Sequence, residues 1–599
     1  MNDIKKIFRF LSIKERKQAF FLIVLLFIMA IFDMIGVASI LPFMAVLTNP
    51  DVVETNEILN YLFNFSKVLG VNNKEDFLFA LGISVFILLV TSLTFKAFTM
   101  YIQLRFTQLR QFSIGKRLVE NYLDQSYSWF LNRHSAELEK KVLSEVTLVV
   151  NNAIKPIIEL IAKSFLTLGI LLLLILIDPK LAFIVFIVLS FSYGVIYKLT
   201  RGFLNNIGEE SMEANRLRFK SINEAFNAIK EIKIGGLEDS YVDRFKKSAK
   251  VFALHQASSA VLVQLPRFAL EALAFGGILL VTIYLLDQSG EIVNVIPIIS
   301  LYAFSGYRLM PAIQQIYSSV SQLRFVGPVL DSLSNDLRSL KKINSTQQEK
   351  ISKMPLNNSI NLQNINFNYP KSSKKSLRDI NLKIDALTTL GIVGSTGCGK
   401  TTLVDIILAL LEAQEGSLEV DGKTINNSNR KSWQRSIGYV PQQIYLSDDS
   451  IESNIAFGID HSKINLDFVK EAAKIANLHN FVMNELPHKY QTIIGERGIR
   501  LSGGQRQRIG IARAIYHKPS VLILDEATSA LDNLTEHAVM EAINSLNKKI
   551  TIIVIAHRLS TIKNCNSIVF LDKGEIKAKG TYEELLNTND YFRKSVKKL

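Results

Sequence analysis

Cysteine is almost absent from this chain: among 599 residues there are two, Cys398 and Cys565. So few cysteines exclude a disulfide framework and favour a reducing compartment such as the cytosol. A compact arginine-rich arm is also missing, so the net charge of +15 does not favour nucleic acid as a partner. No small-residue cleavage site follows the first apolar run, which is too long for the core of a signal peptide. We expect that run to be a retained membrane span.

Long apolar runs, by contrast, are abundant in the first half of the chain. Hydrophobic residues make up 48% of the sequence. A membrane-crossing helix needs about 20 mostly apolar residues. Six regions have that character: 18–47, 77–102, 157–177, 180–200, 257–286 and 292–320. We predict an α-helical membrane domain with six spans at 1–330, a polar linker at 331–355, and a soluble α/β domain at 356–599.

Basic residues indicate which ends of the spans face the cytosol. Lys and Arg are frequent in the N-terminal segment and in the regions 105–155 and 201–255, whereas 48–76 holds two lysines against five acidic residues. Because basic loops stay on the cytosolic side, we expect the N-terminus, both long loops and the C-terminal domain there. The tips of the two long loops, near 124–135 and 229–241, are predicted to form short helices, although ordinary loop tips are the alternative.

The external loop contains the segment NEILNYLFNFSKVLG, whose apolar residues recur at helical spacing. Ile58, Leu59, Leu62, Phe65 and Leu69 would share one face of a helix at about 50–70. Such a helix either lies in the interface and contacts membrane lipids or packs against the bundle, and the spacing is compatible with both.

The segment LGIVGSTGCGKTT is an apolar strand followed by a loop of the pattern G-x-x-x-x-G-K-[ST]. Gly394, Gly397 and Gly399 let backbone N–H groups surround a phosphate. Lys400 can reach the β- and γ-phosphates of a nucleotide, and the Thr401 hydroxyl can ligate Mg²⁺. The helical pattern TLVDIILALL that follows strengthens this interpretation of a P-loop.

Two further segments carry groups suited to phosphate chemistry. In SVLILDEATSALD, Asp525 ends an apolar strand where it can hold Mg²⁺ through water, and Glu526 can polarise an attacking water. An acidic helix N-cap is the structural alternative. In LSGGQRQRIGIARAI, Ser502 precedes a helix whose N-terminal N–H groups can face an anion, unless Ser502 is only a cap. A second phosphate cradle implies a second nucleotide, or the other end of the same nucleotide in a dimer.

Together these motifs resemble the nucleotide-binding domain of ABC transporters, across roughly 350–590. The resemblance implies ATP and Mg²⁺ as cofactors, Tyr369 as the residue that stacks on adenine, and His557 as the residue that contacts the γ-phosphate. It assigns catalysis to Glu526, His557 and Gln442, and metal binding to Thr401, Gln442 and Asp525. The residues expected to bind nucleotide are Tyr369, Gly394, Ser395, Thr396, Gly397, Cys398, Gly399, Lys400, Thr401, Thr402, Ser502, Gly503, Gly504, Gln505 and Asp532.

Each motif occurs once, whereas ABC proteins bind ATP between the P-loop of one domain and the LSGGQ of another. The resemblance therefore implies dimerisation, and we expect a homodimer with two equivalent composite sites. A heterodimer with a sister chain is the alternative. Six spans followed by one ATPase domain resemble an ABC exporter half-transporter, in which ATP hydrolysis drives alternating access.

Three cations lie in or beside the predicted spans: Lys96, Arg267 and Arg308. A cation in hydrocarbon must reach the edge or meet a negative group. At about 1.5 Å per residue from Val293, Arg308 lies about 22 Å into a core of about 30 Å, so snorkelling competes with a role in binding. Arg267 has Glu271 one turn further on as an available partner. If these cations line a cavity, the substrate is expected to be anionic.

The segments GVASILPFMAVL, PRF and YRLMP, with the external helix, resemble PglK-type flippases of lipid-linked oligosaccharides. That resemblance implies a polyprenyl-pyrophosphate glycan as substrate, moved across the bacterial inner membrane by a multi-pass protein whose ATPase domain is cytoplasmic. Arg267 and Arg308 match the arginines of that family by motif, whereas Lys96 stands where an arginine is expected. An ABC exporter of lipid A, phospholipid, drug or peptide is the alternative, and the six spans exclude a non-transporting ATPase.

Overall fold

The computed structural model of the protein describes residues 6–340, 352–527, 532–545, 549–555 and 562–596, apart from 8, 9, 69, 72, 290, 291 and 371–374. The chain forms two units. The first comprises Met1–Gln125 and Asn132–Ile343, and the second comprises Ser126–Leu131 and Asn344–Leu599. The short segment Ser126–Leu131 therefore groups with the soluble half of the chain.

The first unit is built from helices, the longest of which have 50 and 52 residues. In chain order the helices up to residue 339 are α1 Ile13–Ala38, α2 Ile40–Thr48, α3 Val52–Thr55, α4 Glu57–Lys67, α5 Lys74–Leu123, α6 Tyr127–Phe130 (of the second unit), α7 Ser135–Lys140, α8 Val146–Val149, α9 Lys155–Ile177, α10 Pro179–Asn227, α11 Ile229–Gly235, α12 Glu238–Ser289 and α13 Ile292–Ser339. The short helices predicted at the two loop tips are confirmed as α6 and α11.

Four helical stretches among the described residues are long and apolar enough to cross a membrane. They are Ile13–Thr48, Lys74–Leu123, Ser135–Ile177 and Ala182–Asn227. By length and composition these stretches agree with the first four predicted spans. The regions predicted as the fifth and sixth spans lie within α12 and α13, where several side chains fall outside the described residues, so these two spans stay predictions.

Helix α4, which is predicted to be external, has two different faces. It begins at Asn56, whose side-chain oxygen accepts from the N–H groups of the first turn and so caps the helix. Leu59 is buried against Val46, Val53 and Phe77. Ile58, Leu62 and Phe65, which form a stripe on an adjacent side, are exposed.

The prediction of a single apolar face on α4 was therefore partly wrong. Leu59 belongs to the side that packs on the bundle, whereas Ile58, Leu62 and Phe65 form an exposed apolar stripe. Packing against the bundle is thus confirmed for Leu59, and contact of the exposed stripe with membrane lipids stays a prediction. Leu69 lies outside the described residues.

Charged residues are buried together where α5 and α13 end. Asp336 is 6% exposed. Its carboxylate accepts from Tyr122 Oη at 2.5 Å and from Arg133 Nη1 at 3.1 Å, and Lys141 Nζ lies 3.2 Å away. These contacts join α13 to α5 and to a π-helical segment, Lys141–Glu145, which is followed by a second one, Val150–Ile154.

Helix α13 continues to Ser339, although the polar composition after residue 330 suggested a linker from 331. The helix persists because Leu330 and Leu333 are fully buried and because Asp336 is held by the contacts just described. The polar residues on the other faces of these last turns made the segment resemble a linker.

The second unit contains ten strands and a set of shorter helices among its described residues. These elements are β1 Ser359–Phe367, β2 Leu377–Asp385, β3 Thr389–Gly394, α14 Lys400–Ile407, β4 Glu415–Val420, β5 Lys423–Thr424, α15 Arg430–Gln434, β6 Ile437–Val440, α16 Ile451–Ile455, α17 Leu466–Ile475, α18 His479–Asn484, α19 Gly503–Tyr516, β7 Val521–Asp525, α20 Asn533–Ser545, β8 Thr551–Ile555, β9 Ser567–Asp572, β10 Glu575–Gly580, α21 Tyr582–Thr588 and α22 Asp590–Val596.

The strands form two sheets. The smaller is antiparallel, with the order β2-β1-β4-β5, and the larger has the order β10-β9-β3-β8-β7-β6. In the larger sheet all neighbours are parallel except the edge strand β10. Strands β3, β7 and β8 are continuously apolar, as expected for a parallel sheet covered on both faces. The carboxyl ends of β3 and β7 therefore share one edge, where ligands bind in such sheets.

Helix α19 packs on strand β6 with no side chain between the two backbones. A Cβ atom at Gly438 would lie 2.4 Å from the carbonyl oxygen of Ala514. A Cβ atom at Gly510 would lie 2.4 Å from a methyl carbon of Ile444. At Gly438 the obstacle is backbone, so only glycine permits this approach, whereas at Gly510 the neighbour is a side chain.

Candidate functional site

Strand β3 ends in a glycine-rich loop that leads into α14. Gly397 and Gly399 have φ angles of 78° and 109°, in the left-handed region that glycine adopts without strain. At Gly394 a Cβ atom would lie 2.1 Å from a carbonyl oxygen of β9, so the loop needs glycine there too. Lys400 Nζ donates to the carbonyl oxygens of Gly394, at 2.8 Å, and Ser395, at 3.2 Å. The amine is thereby held over the loop, beside the N–H groups that begin α14.

This loop borders a cavity of about 450 Å³. Tyr369 belongs to its wall, with its hydroxyl oxygen 3.2 Å from Thr402 Oγ1. The predicted site residues that line it are Tyr369, Thr396, Gly397, Gly399, Lys400, Thr401, Thr402, Gln442 and Glu526. Lys375 and Lys573 line it as well, although no motif marked them. With Lys400, three lysines surround one cavity, which suits a polyanion such as a nucleoside triphosphate.

Asp525 and Glu526 follow one another at the carboxyl end of β7. Asp525 is 6% exposed, and Tyr439 Oη donates to its Oδ2 at 3.5 Å. Glu526 has a φ of 51°, which is uncommon for a residue with a side chain and costs about 1–2 kcal/mol. Gln442 Nε2 donates to Glu526 Oε2 at 2.7 Å. The strained backbone directs the Glu526 carboxylate into the cavity, whereas the neighbouring Asp525 stays buried.

The residues expected to hold Mg²⁺ supply oxygen atoms only. They are the Thr401 hydroxyl, the Gln442 side-chain carbonyl and the Asp525 carboxylate, of which the first two line the cavity. Mg²⁺ prefers such hard donors, usually one or two carboxylates together with phosphate oxygens. The donor set therefore fits the ion. Among the described residues no cluster of three or more His, Cys, Asp or Glu side chains forms a separate metal site.

The LSGGQ residues do not line this cavity. Ser502 caps α19: its hydroxyl accepts from the N–H of Gln505 at 3.2 Å, and Gln505 Oε1 accepts from the N–H of Ser502 at 2.8 Å. Ser502 is exposed, and Gly503, Gly504 and Gln505 are half-buried. The cap alternative is thus realised, and the helix N-terminus remains open to an anion from outside the chain.

The other predicted nucleotide contacts differ in accessibility. Asp532 Oδ2 accepts from the N–H of Thr535 at 3.0 Å, and hydrogen bonding with Thr535 lowers the pKa of Asp532. Cys398 is buried, its N–H donates to Ser395 within the loop, and burial raises the pKa of its thiol. Cys398 therefore shapes the loop instead of offering a reactive sulfur. His557 lies outside the described residues.

Asp405 is a further acidic residue beside this site, and no motif drew attention to it. It lies on α14, one turn after Thr401, and is 8% exposed. Burial and the charge of Asp525 raise the pKa of Asp405 to about 6. The signal in the sequence is an acid within the otherwise apolar helix pattern TLVDIILALL.

We expect Asp405→Asn to stabilise the protein at pH 8 and to have much less effect at pH 4. The pKa of this acid is raised from 3.8 to about 6 in the folded protein, so its charged form opposes folding. The penalty builds up between these two pKa values and stays constant above about pH 6. With solvent screening, the gain at pH 8 is about 1–2 kcal/mol. Thermal unfolding of the detergent-solubilised, nucleotide-free protein at both pH values measures it. Asp448→Asn, an exposed aspartate of the same unit, is the control. Equal shifts at the two pH values would contradict the prediction.

The structure separates the three predicted cations of the membrane half. Arg267 Nε donates to Glu271 at 2.8 Å, and its side chain is 56% exposed, so the predicted pair on one helix is confirmed. Lys96 is half-buried. Arg308, whose side chain is 14% exposed, lies beside the apolar cluster of α1, α9 and α13 and pairs with Asp33 at 3.5 Å. Arg308 thus meets a negative group within the bundle and does not reach for the edge.

Two residues of this region were missed by reasoning from the sequence. Asp33 has a side-chain exposure of 0%. Lys163 interacts electrostatically with Lys96, Asp33 and Arg308. Each is a single charged residue in an apolar run, and this isolation could have identified both from the sequence. Only the cations Lys96, Arg267 and Arg308 were considered in the sequence interpretation.

The second unit carries a P-loop and two acidic residues at the same edge of a parallel sheet. It is joined in sequence to a helical unit that can span a membrane. This combination defines an ATP-dependent membrane transporter. The family description "ABC transporter" matches residues 377–529, and "ABC transporter transmembrane region" matches residues 19–311. The chain is 33% identical over 483 residues to the ATP-dependent lipid A-core flippase of Desulfotalea psychrophila, covering 78% of this chain and 81% of that protein. The chain belongs to the ABC transporter family.

Two further similarities extend over nearly the whole chain. The heterocyst differentiation ATP-binding protein HepA of Nostoc sp. is 29% identical over 583 residues, which is 95% of this chain and 92% of that protein. The structure of a bacterial Atm1-family ABC exporter with ATP bound shares the fold with a TM-score of 0.79 at 20% identity, covering 97% and 98% of the two chains. The protein is an ABC exporter half-transporter that binds ATP and couples its hydrolysis to transport.

Proposed function

We propose that this exporter is a PglK-type flippase that moves an anionic lipid-linked oligosaccharide, a polyprenyl-pyrophosphate glycan, across the bacterial inner membrane. The observation that carries the proposal is Arg308, whose side chain is 14% exposed, together with its surroundings. Lys163 interacts with the cations Lys96 and Arg308 and with the carboxylates of Asp33 and Glu159, and Arg308 pairs with Asp33. Charges at this depth are costly unless they serve a ligand or pathway, and an excess of positive charge favours an anion.

The lipid part of the substrate is supported by the surface of the first unit. The apolar stripe of α4 formed by Ile58, Leu62 and Phe65 is exposed, as an apolar tail or membrane lipids would require. Arg267, which is also exposed, is a second candidate contact for the headgroup or glycan. The relative named as a lipid A-core flippase supports a lipid as cargo in general, but not this particular headgroup.

On the ATP side, we assign a role to each residue that borders the cavity. Lys400 binds the β- and γ-phosphates, Tyr369 stacks on adenine, and Glu526 takes the proton of the attacking water, with Gln442 orienting the carboxylate. Mg²⁺, held by Thr401, Gln442 and Asp525, would neutralise phosphate charge. His557 contacts the γ-phosphate.

The LSGGQ residues complete the site from a second copy of the chain. Because Ser502 to Gln505 lie outside the cavity of their own chain, their helix N-terminus is available to the γ-phosphate side of another nucleotide. In a homodimer, the P-loop of one chain and the LSGGQ residues of the other form two equivalent composite sites. We place Asp532 next to each of these sites. The ATPase domains lie in the cytoplasm, and their closing and reopening alternates access in the bundle.

The proposal is tested by flipping in proteoliposomes. A labelled polyprenyl-pyrophosphate saccharide is expected to be translocated in an ATP-dependent manner, and translocation per ATP hydrolysed should fall about 10- to 100-fold in Arg308→Ala. Arg324→Ala is the matched control, because Arg324 lies on the same helix and its Nε donates to Tyr197 Oη away from the cluster. If lipid A or a phospholipid is flipped and the pyrophosphate lipid is not, the substrate assignment is wrong.

A further inference from the structure

Asp33 is the central residue of the charge cluster that it forms with Lys96, Lys163 and Arg308. Its Oδ1 atom accepts from Ser92 Oγ at 2.9 Å and from Arg308 Nη1 at 3.5 Å. Its Oδ2 atom is buried and makes no hydrogen bond within the described part of the chain. Ser92, like Asp33, is 1% exposed. A carboxylate in this position keeps half of its acceptor capacity unused.

The cations around Asp33 outnumber it. Lys96 follows Ser92 by one turn of α5, Lys163 lies on α9, and Arg308 lies on α13. Lys163 interacts electrostatically with all of them. Glu159, one turn before Lys163, has its own partners: Gln315 Nε2 donates to it at 2.6 Å and Lys155 lies 3.9 Å away. Lys163 interacts with Glu159 as well. With Glu159 and Lys155 included, four cations and two carboxylates leave an excess of two positive charges.

The nitrogen–oxygen distance in the ion pair between Asp33 and Arg308 is long. A charge-assisted hydrogen bond between nitrogen and a carboxylate is about 2.7–2.9 Å long, whereas this one is 3.5 Å. Arg308 Nε is also buried without a hydrogen bond in the described structure. Both members of the pair therefore have a free bonding position, and a buried unpaired polar group costs about 1–3 kcal/mol. An anion with several acceptor oxygens would satisfy Arg308 better than Asp33 does.

We propose that Asp33 is an internal counter-ion that competes with the anionic headgroup of the substrate for Arg308. The headgroup displaces the guanidinium from Asp33, which keeps its hydrogen bond from Ser92. The remaining excess of two positive charges matches a pyrophosphate diester, which carries two negative charges. When the ion pair between Asp33 and Arg308 forms again, the headgroup is released. This inference rests on the proposed function, because it assumes an anionic lipid as cargo.

The direction in which Asp33→Asn changes the affinity for an anionic lipid distinguishes two roles of Asp33. Asp33 either competes with the lipid for Arg308 or only positions Arg308. Asp33→Asn keeps the shape of the side chain and removes the competing charge, so an anionic lipid should bind more tightly. If Asp33 only held Arg308 in position, the same variant would bind the lipid more weakly. Ser92→Ala, which removes the hydroxyl that holds Asp33 Oδ1, should act in the opposite direction, because the carboxylate is then free to approach Arg308.

The experiment measures stimulation of ATP hydrolysis by added lipid in the full-length protein reconstituted in nanodiscs. The probes are a polyprenyl-pyrophosphoryl saccharide, a polyprenyl-phosphoryl saccharide and an uncharged polyprenyl saccharide. Asp33→Asn is expected to lower the half-maximal concentration of both anionic lipids about tenfold, and Ser92→Ala to raise it several-fold. The uncharged lipid should respond alike in wild type and variants.

Each outcome bears on one of the two proposals. Weaker or unchanged response of Asp33→Asn to the anionic lipids, with a responsive wild type, overturns the counter-ion role and leaves the flippase proposal standing. The counter-ion role is also overturned if the variants shift the uncharged lipid as much as the anionic ones. A wild type that responds to neither anionic lipid overturns the proposed function and the counter-ion role together. If Asp33→Asn does not fold, Ser92→Ala decides: a lowered half-maximal concentration contradicts competition.

Discussion

Replacing Glu526 by glutamine is expected to lower kcat for ATP hydrolysis about 10²- to 10⁴-fold while ATP binding persists. The amide keeps the size of the side chain and can still meet Gln442, which lies 2.7 Å from the carboxylate. It cannot accept the proton of an attacking water. Lys400 and the glycine-rich loop are unchanged, so the nucleotide should be retained. Steady-state phosphate release and retention of radiolabelled ATP measure the two effects separately.

A matched control is available in the same unit. Glu471 is 56% exposed and pairs with Lys518 at 3.1 Å on the surface, so Glu471→Gln makes the same chemical change outside the cavity. We expect wild-type turnover from this variant. Robust turnover by Glu526→Gln would remove Glu526 from the catalytic role, and loss of ATP binding would indicate that the carboxylate is needed for the loop itself.

The second large effect is expected in the membrane half, from Asp336→Asn. This change leaves Arg133 and Lys141 without their shared carboxylate, although Lys141 keeps a contact of 3.3 Å with Glu137. Removing one partner from a buried ionic cluster typically costs about 3–5 kcal/mol, because the charges that remain are uncompensated. For a unit of this size the thermal unfolding midpoint should fall by about 5–10 °C.

Scanning fluorimetry of the detergent-solubilised protein measures this shift. Asp331→Asn is the control, since Asp331 lies on the same helix, its side chain is 53% exposed, and it pairs with Lys6 at the surface. Surface pairs contribute about 0–1 kcal/mol, so this variant should unfold close to the wild type. Equal midpoints for the two variants would show that the buried cluster is not a stabilising centre.

The ATP-binding half could be predicted well from the sequence because its chemistry depends on contiguous residues. The loop from Gly394 to Thr402 and the pair Asp525–Glu526 are short motifs whose geometry follows from a strand end and a helix start. Even so, Lys375 and Lys573 were missed, because they reach the cavity from separate loops. Asp405 was missed because its importance comes from its closeness to Asp525, which is distant in sequence.

The membrane half was less predictable, because the decisive contacts join residues far apart along the chain. Asp33 and Arg308 are separated by 275 positions, so no local pattern reveals that they pair. Counting residues gave the depth of Arg308 but not its partner. On α4 the apolar set was recognised, yet which residues are buried depends on Val46 and Phe77 of other helices. The end of α13 looked like a linker because burial of Asp336 by charged partners cannot be read from composition.

The close packing of strand β6 on α19 at Gly438 has a mechanical consequence. Backbones in direct contact have no flexible side chains that could absorb a relative shift, and cores of this density transmit strain. Displacement of the LSGGQ helix by an approaching nucleotide therefore carries strand β6 with it, together with the segment that leads to Gln442. A shift at the Ser502 end of the helix is thereby transmitted to the Gln442 side of the cavity in the same chain.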